Sequence, residues 1–189
     1  MTNLRLFWAI NLPVPARAYL GDMISRLRSV PADVKWVEEQ NLHLTVKFLG
    51  DVPANRIALL TAAVKDAASG AERFSLSIQG LGFFPAASRP RVMWAGLTGD
   101  LDKLKKLRRQ VEGSLVPLGF APEDKRFLPH LTLARFRSVR GTEELTGLAG
   151  QLAVGTAWGP VVVKELDLME SKLTSQGPVY TVLDKIGLK

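Results

Sequence analysis

The sequence predicts an α+β protein of two lobes. Each lobe is an antiparallel sheet flanked by helices, and the two face each other across a central cleft. Three observations carry this expectation. Strand-like and helix-like apolar patterns alternate along the 189 residues. The elements recur in the same order when the chain is shifted by 87 residues. The near copies HLTV (43–46) and HLTL (130–133) stand at that same offset and hold both histidines of the chain.

The elements follow in order. LRLFWAINL (4–12) is apolar and aromatic enough for a buried strand, and Pro13 and Pro15 stop it. Pro15 suits a first helical turn, and Ala16, Leu20, Met23, Ile24 and Leu27 recur at helical spacing. A loop carrying Trp36 leads to a strand over 42–49, ended by Gly50 and Asp51. Pro53 opens a helix with Ile57, Leu60, Ala63 and Val64 on one face. FSLSIQGLGFF (74–84) alternates with period two, as a half-buried strand does. RVMWAGL (91–97) is a strand, and Asp100 is placed to cap a helix carrying Leu101, Leu104, Leu107, Val111 and Leu115. After Gly119 come a strand at 130–136, a helix at 142–152 and a strand at 161–170. SQGP (175–178) is a turn signal, and 179–186 is the second arm of a hairpin.

The repeat is one of elements rather than of side chains. Six elements and both histidines match at the single offset of 87. The expected organisation is one bilobal domain over 1–189, a pseudo-repeat of about 4–84 and 91–170 with a closing strand at 179–186. Two units are too few for a solenoid.

Composition narrows the function. The absence of cysteine excludes disulfides, thiolate metal sites and cysteine nucleophiles. The N-terminal residues read as a strand and turn rather than a signal peptide, and no apolar run approaches the roughly 18 residues of a membrane span. A cytoplasmic protein with no membrane contact is expected. The net charge of +7 suits a polyanionic partner such as nucleic acid or a nucleotide.

In a strand, alternate residues share a face. His43, Thr45 and Lys47 therefore lie on one side and Leu44, Val46 and Phe48 on the other. His130 and Thr132 share a face in the second copy. If the lobes face each other, two imidazoles and two hydroxyls converge. Histidine titrates at about 6.5, so one imidazole can take a proton while the other gives one. Threonine hydroxyls can donate to non-bridging phosphate oxygens. The set fits a phosphodiester and calls for no metal and no cofactor. Zinc would need carboxylate ligands that neither strand offers at i+2.

The flanks add a family. NLHLTVKFLGDV (41–52) and FLPHLTLARFR (127–137), with RLFWAINLP, KWV and LMESKLTSQGPVYTVL, resemble the two-histidine (2H) phosphoesterases, and within them the RNA 2′,3′-cyclic phosphodiesterases also called 2′,5′ RNA ligases. The resemblance covers nearly the whole chain. It implies a bilobal fold and hydrolysis of a 2′,3′-cyclic phosphate on RNA or a nucleotide to a 2′-phosphate. It implies His43 as proton donor, His130 as proton acceptor, and Thr45 and Thr132 as phosphate-binding residues. The near-symmetry of the motifs does not by itself orient donor and acceptor. Reversible 2′,5′ ligation, a small-nucleotide cyclic phosphodiesterase and a non-catalytic RNA-binding module are the rival readings. No obligate protein partner is expected, and the chain reads as a monomer.

Further contacts are expected to substrate. The resemblance points to Arg135, and Phe48 offers a stacking surface for a base. Strict alternation turns both away from the histidines, so each needs a bulge to reach the cleft. Lys47 has the right parity for a substrate contact; a solvated lysine at the cleft rim is the alternative. Lys125, Arg126, Arg135, Arg137 and Arg140 crowd the second motif and could track RNA. The charges of KLKKLRR (103–109) read as a solvated helix face.

Overall fold

The computed structural model describes residues 2–123, 126–155, 157–175 and 177–189. Lys125, and Gln176 of the SQGP turn, lie outside the described residues. Among the described residues, nine strands and four α-helices run in the order β1 (Asn3–Asn11), α1 (Val14–Leu27), β2 (Val34–Trp36), β3 (His43–Pro53), α2 (Ile57–Ala68), β4 (Phe74–Phe84), β5 (Val92–Gly99), α3 (Leu101–Leu115), β6 (His130–Phe136), α4 (Thr142–Ala153), β7 (Ala157–Val163), β8 (Glu165–Thr174) and β9 (Gly177–Gly187). No helix among the described residues is long and apolar enough to cross a membrane.

The expected pair of sheets is joined into one. The strand order is β7-β4-β5-β6-β3-β1-β8-β9, with β2 paired to β6. All the pairings are antiparallel. At the middle, β3 meets β6 through the single ladder pair Leu44 and Leu131. The histidine strands are thus the two central strands.

The sequence halves are not the spatial halves. β4 of the first half pairs with β5 of the second, and β8 of the second pairs with β1 of the first. Each half contributes one strand to the other's sheet. The expected strand at 161–170 is two strands broken at Lys164: β7 lies along β4, and β8 lies along β1. Trp36 lies in the short strand β2 rather than a loop. Asp100 makes no side-chain cap on α3, and its carboxylate instead accepts the Ser75 N–H at 3.0 Å.

One face of the sheet carries the helices. Trp8 and Leu6 of β1, Leu44 of β3, Met93 of β5 and Leu131 of β6 pack there with Leu20 and Leu27 of α1 and Leu104 and Leu107 of α3 in one continuous core. Each such fully buried side chain contributes about 1.5–3 kcal/mol. On the opposite face, Phe7, Ala9 and Met169 form a small cluster against Tyr180. That face is free to bind.

Arg108 departs from the expected solvated face of α3. It is buried, stacks on Phe127 with its guanidinium carbon 4.4 Å from the ring centroid, and bonds Glu112 at 2.9 Å. Glu112 also faces Lys47 at 3.4 Å and accepts the Glu123 N–H at 3.2 Å. Removing one partner from such a buried cluster leaves a charge uncompensated. Glu112→Ala is therefore expected to lower the stability read from urea unfolding by about 3 kcal/mol. Glu123, half in solvent, is expected to cost less than about 1 kcal/mol when replaced by alanine.

Candidate active site

The cleft-facing side of β3 is set by a bulge. Thr45 pairs with Ala9 and Lys47 pairs with Trp8, so Val46 is the extra residue. A bulge puts two residues against one and reverses the parity beyond it. Lys47 consequently turns to the helix side. It is 4% exposed and donates to the Ala121 carbonyl at 2.7 Å. The expectation that Lys47 contacts substrate in the cleft is corrected: the bulge buries it behind the sheet. The same reversal brings Phe48, 57% exposed, to the face of His43 and Thr45.

β6 repeats the device. Trp94 pairs with Thr132 and Met93 with Ala134, leaving Leu133 as the extra residue. Arg135 thereby faces the cleft with His130 and Thr132. Val46 and Leu133 are again 87 residues apart. Both bulge carbonyls are satisfied: the Val46 carbonyl accepts from Arg108 Nε at 3.3 Å, and the Leu133 carbonyl accepts from the Val37 N–H at 2.8 Å.

The result is one cleft of about 990 Å³ lined by His43, Thr45, Phe48, His130, Thr132 and Arg135. Of the basic residues near the second motif, Arg135 lines it; Arg137 lines a separate groove with Arg89 and Arg91.

Both imidazoles are tethered alike. His43 Nδ1 donates to the Asn41 carbonyl at 2.7 Å, and His130 Nδ1 donates to the Leu128 carbonyl at 2.7 Å. A carbonyl only accepts, so Nδ1 carries hydrogen in each ring and Nε2 is left for chemistry. Nε2 of His43 lies 3.0 Å from Thr45 Oγ1. In the neutral ring that nitrogen accepts from the hydroxyl.

Their surroundings differ. His43 has Phe7 at 5.0 Å and an edge-on Tyr180 at 5.2 Å between ring centroids. His130 has an edge-on Phe84 at 4.9 Å and Trp94 at 6.3 Å. Burial pushes the His43 pKa below its usual value, and the Asn41 carbonyl partly offsets this. Burial raises the Tyr180 phenol, while the positive charges of Arg135 and Arg5 oppose it. The Trp94 ring occupies the space above Gly82, where a Cβ would collide with it.

Several of these residues are not marked by the motifs. Phe7 and Trp94 stand 87 residues apart, so the repeat offset could have found them. Phe84 and Tyr180 come from strands distant in sequence and carry no such signal.

Two H-x-T strands presenting tethered imidazoles and hydroxyls to one cleft define a two-histidine phosphoesterase. The LigT-like phosphoesterase family model matches residues 10–94 and 98–180, one histidine strand in each segment. The chain belongs to that family. It is 35% identical to an RNA 2′,3′-cyclic phosphodiesterase of Methanothermobacter thermautotrophicus, over 96% of this chain and 97% of the relative. A Thermus thermophilus protein of known structure shares 32% identity with a TM-score of 0.74, covering 97% of each chain. E. coli LigT complexed with 3′-AMP shares 25% identity with a TM-score of 0.76, covering 100% of this chain and 99% of that one.

Buried neutral His43 titrates below its unfolded value. Its contribution to stability is therefore complete above the unfolded pKa of about 6.5 and is lost as pH falls through the folded one. Urea midpoints measured from about pH 7 to about pH 5 are expected to fall more steeply for the wild type than for His43→Gln. Parallel curves would contradict this burial effect.

Proposed function

We propose that this protein hydrolyses 2′,3′-cyclic phosphates at RNA or nucleotide ends to 2′-phosphates, by histidine acid–base catalysis without a metal. The observation that carries the reading is the paired tether: each H-x-T strand fixes one imidazole through Nδ1, leaving Nε2 for proton transfer. The name of the Methanothermobacter relative supports the substrate class.

In the proposed reaction His130 Nε2 takes a proton from water as the oxygen attacks phosphorus. The P–O3′ bond breaks, and the His43 imidazolium gives its Nε2 proton to O3′. The product is a 2′-phosphate with a free 3′-hydroxyl. Donor and acceptor are assigned here by resemblance to the family. Thr45 and Thr132 hydroxyls donate to the non-bridging oxygens. A phosphate between them replaces the internal Thr45–His43 contact of 3.0 Å. Its negative charge favours the imidazolium, offsetting the burial that favours neutral His43.

Phe48 stacks on the terminal base in this reading, and Arg135 contacts substrate phosphate. The chain acts as one bilobal unit, a monomer working in the cytoplasm, where a cysteine-free protein needs no oxidising environment.

His43→Ala and His130→Ala are each expected to lower kcat for a cyclic nucleotide by about 10²–10⁴ while leaving the circular dichroism spectrum unchanged. Wild-type turnover in either variant would refute the assignment.

A further inference from the structure

β2 and β6 pair with Lys35 directly opposite Arg135. Side chains opposite each other across an antiparallel ladder share a face and stand close, and like charges there are destabilising. Both side chains line the cleft. Among the described residues, no carboxylate forms an ion pair with either. Glu38, on the same cleft wall, lies 3.8 Å from Arg28 instead. Two unneutralised cations held side by side in a binding cleft are arranged for an anion.

The reacting phosphate is not that anion. It is served by the Thr45 and Thr132 hydroxyls and the two imidazoles. Arg135 lies beyond the Leu133 bulge, at the next position on that face, about 7 Å along the strand from Thr132. A nucleotide whose terminal phosphate sits at Thr132 extends its next phosphate along the cleft. Lys35 lies against the start of β9: a Cβ at Gly177 would approach its Nζ to 3.3 Å. Gly177 also adopts φ +141°, which disfavours a side chain. The first residues of β9 line the cleft there, held by Asn41 Nδ2, which donates to the Pro178 carbonyl at 3.0 Å. The start of β9 therefore walls the cleft beside Lys35.

We propose that Lys35, set beside Arg135 across the β2–β6 ladder, completes a second phosphate subsite that takes the phosphodiester on the 5′ side of the terminal nucleotide. Arg135 offers a planar fork and Lys35 a point charge to the same phosphate. The subsite selects RNA ends over cyclic mononucleotides that lack a 5′-phosphate. It rests on the phosphoesterase reading for the position of the terminal phosphate.

The test is calorimetric binding of adenosine 2′-phosphate and adenosine 2′,5′-bisphosphate, which differ only in the 5′-phosphate. The wild type is expected to bind the bisphosphate about tenfold more tightly. Lys35→Gln is expected to erase that difference, flatten its salt dependence by about one phosphate contact, and leave the monophosphate Kd unchanged. Equal wild-type affinities, or an equal loss for both ligands in Lys35→Gln, would overturn the subsite. Binding is read without turnover, so these results stand apart from whether a cyclic dinucleotide is hydrolysed. Failure of hydrolysis by the wild type would instead strike the catalytic reading.

Discussion

One extra residue in each of two central strands governs the cleft. Without the bulges at Val46 and Leu133, strict alternation would send Phe48 and Arg135 into the helical core and bring Lys47 and Ala134 forward. With them, each strand shows an imidazole, a hydroxyl and a substrate-sized contact on one face. A bulge leaves a residue outside the ladder, and its carbonyl needs another donor. On β3 that donor is the buried guanidinium of Arg108; on β6 it is the Val37 amide just after β2. The buried charges of α3 and the short strand β2 are therefore part of the site's construction, although Arg108 stands outside the cleft lining.

The two half-sites share a frame and differ in medium. Identical Nδ1 tethers to the carbonyl two residues earlier aim both rings the same way. Phe7 and Tyr180 enclose His43, whereas Phe84 and Trp94 stand beside a more open His130. A duplicated architecture thus supplies the symmetry of position, and the aromatic neighbours break it. Distinct environments are how two chemically identical groups take different roles in acid–base catalysis.

Much of this was legible in the sequence. Alternation within HLTV and HLTL placed histidine and threonine together, and both motifs line one cleft. The offset of 87 brought matching helices and strands into correspondence. The bulges were not legible, because Val46 and Leu133 are ordinary strand residues and nothing local marks an extra one. Lys47 was misplaced for that reason. The strand exchange was equally hidden: period-two patterns locate β4 and β8 but carry no record of their partners. The break at Lys164 is a single residue between VVV (161–163) and ELDLME (165–170), too short to read as a turn.

In the proposed reaction two tethered imidazoles break the P–O3′ bond of a cyclic phosphate with no metal. Phosphorus NMR of 2′,3′-cyclic nucleotide hydrolysis in the presence of a chelator tests it most directly. A single nucleoside 2′-phosphate product is expected. A 3′-phosphate product, or turnover that appears only when a divalent metal is restored, would contradict it.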